Sequence, residues 1–213
     1  MLRDEDKKEI SKRLADMKDP VKMVLFTQKL DSNCQYCNET ETLLNEVAEL
    51  SDKLELQVLN FVSDKEAKEK YNVDKIPALI VQNEVDYGIR FYGIPSGYEF
   101  ATLLEVILSV SAKDSGFSEE AKNKIKTINK PVHIQVFVTP TCPYCPSAAF
   151  MGYKLAQENE NITADTVEVS EFPDLGQKYS VMGVPKIVIN EDHSFEGALP
   201  EDMYIEKVLE AVT

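Results

Sequence analysis

The chain has 213 residues, room for one or two domains, and its 43% hydrophobic and 28% charged residues suit a folded globular protein rather than a disordered one. Lys and Arg number 23 against 37 Asp and Glu, a formal net charge of -14, so phosphate backbones are repelled and neither nucleic acid nor an anionic membrane is an expected partner. No apolar run reaches the roughly 20 residues of a membrane span, and residues 1–8 lack an apolar h-region, so a cytoplasmic setting is expected.

In chain order, residues 4–17 read as an amphipathic helix with Ile10, Leu14 and Met17 on one face. A strand over 21–27 leads to Cys34-Gln-Tyr-Cys37 and a helix over 35–50 carrying Leu43, Leu44, Val47 and Leu50. Strand 54–62, a short charged helix over 64–72, strands 77–82 and 88–92, and a closing helix over 99–111 follow. The Gly and polar residues of 112–117 read as a linker. A helix over 118–128, capped by Ser118, then opens a second series: strand 132–138, Cys142-Pro-Tyr-Cys145, helix 143–158, strand 162–169, a short helix over 172–179, strands 186–190 and 194–196, and helix 201–212.

The second series repeats the first. Cys34 to Cys142, Cys37 to Cys145, Tyr71 to Tyr179 and Pro77 to Pro185 are all offsets of 108, whereas Pro20 to Pro131 is 111, so the loop before Cys34 carries three extra residues. Gly93 and Gly197, offset by 104, form the weakest match. Constant offsets broken only by loop indels are what a duplicated folding unit gives. We therefore expect an α/β protein of two units, residues 1–115 and 116–213. In each, a helical crossover makes the first two strands parallel and a short turn makes the last two antiparallel, a mixed four-stranded sheet flanked by helices.

Each Cys-x-x-Cys falls where a strand gives way to a helix. Unpaired amides and the positive dipole end of a helix start stabilise a thiolate, and the thiolate is the attacking species in disulfide exchange. Cys34 and Cys142 are thus the expected nucleophiles, and Cys37 and Cys145, three residues on, the resolving thiols. Pro77 and Pro185 open apolar strands, a position proline tolerates.

Cys34-Gln-Tyr-Cys37 with Ile76-Pro77, and Cys142-Pro-Tyr-Cys145 with Val184-Pro185, resemble the two-unit protein disulfide oxidoreductases of thermophilic microbes, themselves similar to glutaredoxins and protein disulfide isomerase. The resemblance covers the chain from about residue 20 onward and implies tandem thioredoxin-like units, thiol–disulfide exchange on protein substrates, and redox chemistry carried by cysteine pairs with no other cofactor. It also implies that Pro77 and Pro185 are cis, leaving the backbone of Ile76 and Val184 to pair with an extended substrate. The sequence departs from thioredoxin in having Asn33 and Thr141, not Trp, before the first cysteines.

Glu168 lies in an apolar strand where the first unit has Asn60. A carboxylate there is a candidate base for Cys145, against the alternative of a solvated strand residue. Tyr36 and Tyr144 are candidate substrate contacts or mere shields of the sulfurs, and Tyr71 and Tyr179 read as packing residues. The helix after Cys145 is more apolar than its counterpart and is expected to lie against the other unit or to dock protein. His133 reads as a core or rim residue and His193 as a solvated turn residue. Competing readings are an electron carrier between a thioredoxin-reductase-like flavoprotein and a peroxidase or reductase, and a non-catalytic scaffold held by zinc or static disulfides. Zinc is disfavoured because Cys37 and Cys142 are 105 positions apart, against roughly 15–20 in a zinc ribbon.

Overall fold

A computed structural model describes residues 1–28 and 34–212. The predicted insertion before Cys34 and Asn33 lie outside the described residues. The elements are α1 (Asp4–Leu14), β1 (Val21–Thr27), α2 (Cys37–Ala48), β2 (Leu54–Asn60), α3 (Lys65–Lys70), β3 (Ala78–Gln82), β4 (Ile89–Tyr92) and α4 (Glu99–Ala112). The second series is α5 (Glu119–Ile125), β5 (Val132–Val138), α6 (Cys145–Glu158), β6 (Ile162–Glu168), α7 (Pro173–Lys178), β7 (Lys186–Ile189), β8 (His193–Glu196) and α8 (Glu201–Glu210). His193 is exposed as expected, but it opens β8 opposite Ile189 rather than sitting in the turn.

Each unit has the expected strand relations: β1 runs parallel to β2 and antiparallel to β3, which runs antiparallel to β4. The second unit repeats this with β5 to β8. β4 then pairs in parallel with β6, Ile89 opposite Ala164 through Tyr92 opposite Val167, so the two four-stranded sheets form one sheet of order β2-β1-β3-β4-β6-β5-β7-β8. This edge-to-edge joint satisfies the backbone groups that two free sheet edges would leave unpaired.

Alternation along the central strands divides the core between the two faces. Met23, Leu25, Leu79 and Val81 join residues of α1, α2, α4, α5, α6 and α8 on one face. Val24, Phe26, Ala78 and Ile80 face the other side, covered by the short α3 and α7 and the loops after them. Two six-residue helices do not span eight strands. A trough of about 370 Å³ therefore lies over the β4–β6 joint, lined by Arg90, His133, Gln135 and Asp165 among others. Its charges are paired internally: Arg90 donates to both oxygens of Asp86, His133 Nε2 lies 2.7 Å from Asp165 Oδ2, and Lys178 pairs with Glu191.

The linker is packed down. Lys113 ends α4 in a left-handed conformation, Ser115 hydrogen-bonds Glu158, and Phe117 is buried in the main core. As the apolar character of α6 suggested, it lies against α4: Ser109 bonds Gln157, and Tyr153 donates to the Arg90 carbonyl at 2.9 Å. Ser118 caps α5, accepting from the Ala121 amide.

Candidate active sites

Both Cys-x-x-Cys pairs are disulfide-bonded, with Cα atoms 5.5 Å apart in each. The helices begin at Cys37 and Cys145, two residues later than the periodicity indicated, because Gln35-Tyr36 and Pro143-Tyr144 form a turn. The leading cysteine of each pair therefore stands just ahead of the helix and the second is its first residue. The Cys145 amide donates to Cys142 Sγ at 3.1 Å, so an unpaired helix-start N–H addresses the sulfur that would carry negative charge after reduction. Cys34 and Cys142 each retain 8% exposure, while Cys37 and Cys145 are sealed at 1% and 0%. The leading member of each pair is thus the less deeply buried of the two.

The Ile76–Pro77 and Val184–Pro185 bonds are both cis. The Val184 carbonyl oxygen lies 3.6 Å from Cys142 Sγ, bringing the second motif and its proline segment together. The weak glycine match proves structural: the Gly93 and Gly197 amides donate to the carbonyls of Pro77 and Pro185, both with positive φ. Tyr71 and Tyr179 pack against Phe26 and Phe137, as expected. Tyr36 is half-buried against the core, whereas Tyr144 is 69% exposed.

Glu168 is not solvated; it is 3% exposed. Its carboxylate accepts from the amides of Ser170 and Glu171, as Asn60 accepts from Val62 and Ser63. The two equivalent residues close equivalent turns. Glu168 is buried because Gly93 of the other unit packs on it; a Cβ there would come within 2.7 Å of the Glu168 Cβ. Beside it, Glu171 accepts from the Ile94 amide at 2.7 Å, and burial, reinforced by the charges of Glu168 and Glu39, pushes its carboxyl up to about 7.

A third acid was not legible in the sequence. Glu99, in the first turn of α4, is 1% exposed, and neither carboxylate oxygen has a hydrogen-bond partner among the described residues. Burial pushes it up to about 7. The preceding Tyr98 amide donates to the Pro140 carbonyl, which anchors the start of α4 to the loop entering Cys142. Within its first turn an acidic residue signals only favourable alignment with the helix dipole, so the chain gives no sign that this one is buried.

Comparison with known proteins agrees with this geometry. The thioredoxin domain matches twice, over residues 27–105 and 132–210. The chain belongs to the thioredoxin family. Over its whole length this thioredoxin-family chain superposes on a protein disulfide oxidoreductase from Aeropyrum pernix, with a TM-score of 0.92, 32% identity and 94% of that chain covered. It also shares the fold of the N-terminal domain of alkylhydroperoxide reductase AhpF from Enterococcus faecalis, with a TM-score of 0.90, 24% identity, 98% of this chain and all of that one. Curated relatives include a Staphylococcus epidermidis alkyl hydroperoxide reductase, 29% identical over 72% of this chain, and an NADH dehydrogenase of Ferdinandcohnia aciditolerans, 27% identical over 88%. The chain spans only 28% and 37% of those two relatives' lengths.

All four sulfurs of this thioredoxin-family chain are engaged within their own motifs, and the described residues contain no group of three or more His, Cys, Asp and Glu placed to hold a metal ion. No helix among them is long and apolar enough to cross a membrane. His133 lines the trough with Asp165, away from the cysteines.

Proposed function

We propose that the protein is a dithiol–disulfide oxidoreductase acting on protein disulfides, with one site in each of two units, residues 1–115 and 116–213. The observation that carries this is a leading cysteine that keeps some exposure beside a second cysteine that is fully buried, at both sites, joined at Cys142 by a helix-start amide directed at its sulfur. After reduction, the Cys142 thiolate attacks one sulfur of a substrate disulfide, forming a mixed disulfide and releasing the other substrate sulfur as a thiolate. Cys145 loses its proton and attacks Cys142 Sγ, which releases the first substrate sulfur. The substrate gains two electrons, and the protein returns to the disulfide form. Cys34 and Cys37 act alike in the first unit. Ile76-Pro77 and Val184-Pro185 hold the substrate backbone, with Tyr36 and Tyr144 beside it.

The Cys145 proton needs an acceptor. Glu168 is the candidate the sequence offered, and Glu99, buried in the first turn of the helix packed against α6, is a second. The Glu168 carboxylate accepts one turn amide on each oxygen and keeps lone pairs free for a further proton. Glu99→Gln should slow resolution at the second site and remove a rate inflection near pH 7, whereas Glu168→Gln should leave that inflection in place.

A second reading is favoured by the company the sequence keeps: longer relatives named as alkyl hydroperoxide reductase and NADH dehydrogenase carry a matching segment. In that reading a flavoprotein supplies electrons to these cysteines, which pass them to a peroxidase or reductase. We place the chemistry on cysteine alone, without metal or flavin in this chain, and in the cytoplasm. Insulin reduction driven by dithiothreitol tests the main reading. Cys34→Ser and Cys142→Ser should each lower turnover and together abolish it; undiminished turnover in the double variant rejects the proposal.

A further inference from the structure

The two sites are built alike but surfaced differently. Around Cys142, Pro143 is exposed, Tyr144 is 69% exposed and Met182 is 91% exposed. Met182 precedes by two residues Val184, whose carbonyl lies beside Cys142 Sγ. At the matching positions of the first unit, 108 residues earlier, stand Gln35, Tyr36 and Asp74. Gln35 is polar, Tyr36 is turned against the core, and Asp74 pairs with Lys75, whose ammonium sits 3.7 Å over the Tyr92 ring. Exposed apolar side chains thus stand on both chain segments that meet at Cys142, and at the first site their places are taken by an amide and an ion pair.

Large apolar side chains grouped in the open around a reactive atom are costly to hydrate and mark a contact surface. Methionine and tyrosine suit such surfaces: one adapts its shape, the other offers a rigid apolar face with a polar tip. From this asymmetry we infer that the second site, through Met182 and Tyr144, selects polypeptide segments with apolar side chains flanking the disulfide, and that the first site does not. The inference rests on the oxidoreductase reading above and names the substrate class of its second site. The occupant is an extended polypeptide, because the carbonyl of Val184 next to the sulfur offers strand pairing, while Met182 and Tyr144 offer apolar contact to neighbouring side chains. The charged counterpart at the first site repels apolar flanks by leaving Asp74 and Lys75 to be desolvated.

The test uses the full chain with Cys34→Ser and Cys37→Ser, so that only the second site turns over. Two disulfide peptides are compared, identical except for leucine or serine on either side of the cysteines. The expected kcat/KM ratio favours leucine by about tenfold, the low end of what one methylene group is worth in an apolar pocket. Met182→Asp, and the milder Met182→Gln, should collapse that ratio toward one through KM. A chain keeping only the first site, with Cys142→Ser and Cys145→Ser, should show a ratio near one. A ratio near one at the second site, or one unchanged in both Met182 variants, overturns the inference. Failure of the single-site protein to reduce either peptide overturns the underlying oxidoreductase reading instead.

Discussion

Glu99 and His133 illustrate opposite signs of the same linkage. Burial favours the neutral form of Glu99 and lifts its carboxyl to about 7 from an ordinary 4.5. Below about pH 4.5 folded and unfolded chains both carry the proton, and no penalty arises. Between 4.5 and 7 the unfolded chain ionises first, so the penalty grows with pH and then levels. Glu99→Gln should therefore leave stability unchanged at pH 4 and raise it by about 3 kcal/mol at pH 8, measured by denaturant titration. Equal effects at both pH values would contradict this. For His133, burial works against the charged ring, but the hydrogen bond and charge of Asp165 outweigh it and the pKa is raised above 6.5. That stabilisation is fully present below the ordinary value and fades as pH rises through the elevated one. His133→Gln should lower stability at pH 5.5 and cost little at pH 9. The two cysteine pairs were legible from spacing alone, because a separation of three residues at a helix start brings both sulfurs within bonding distance. Glu99 was not, because only the packing of α4 on α6 makes it unusual.

Among elements, the turns after β4 and β6 fix how the units meet. Gly93 has φ 103°, and a Cβ there would reach the Glu168 Cβ at 2.7 Å and Glu171 Oε1 at 2.8 Å. Gly93→Ala should destabilise by roughly 2 kcal/mol or more, combining backbone strain with overlap at the joint. Gly116, with φ 70° but no atom within 4 Å of an added Cβ, supplies the control. Gly116→Ala should cost only the conformational part, about 1 kcal/mol. Comparable losses at the two positions would show that packing at the joint contributes nothing. The helices and strands themselves were readable from periodicity, with most ends moved inward by one to three residues where turns took over and with α4 and β8 each one residue longer than expected. Helix capping by Ser118 was readable too, because the side chain acts on its own local backbone. The β4–β6 pairing was not. Arg90, Thr163 and Asp165 face the trough, so these strands lack the apolar signature of central strands.

At the scale of the molecule, one sheet of eight strands joins the two units. The backbone ladder between β4 and β6, the α4–α6 contact and the packed linker all cross between units. Unfolding monitored by tyrosine fluorescence and by circular dichroism should therefore follow one coincident transition. Residues 1–115 expressed alone should self-associate through the uncovered β4 edge. A stable monomer of that fragment, with the full-length chain melting in two steps, would show the units to be autonomous. The duplication was visible in the sequence because its offsets are constant. The joining of the copies was invisible because it depends on which sheet edges meet, and that information resides in no local pattern.

Covalent capture of the reaction intermediate probes the proposed chemistry most directly. In a chain with Cys34→Ser, Cys37→Ser and Cys145→Ser, reduced and then mixed with a disulfide-bonded polypeptide, intact-mass measurement should find one substrate chain joined to Cys142 and released by dithiothreitol. A protein whose mass stays unchanged, while Cys142 still reacts with a small alkylating reagent, would contradict the assignment of Cys142 as the attacking sulfur.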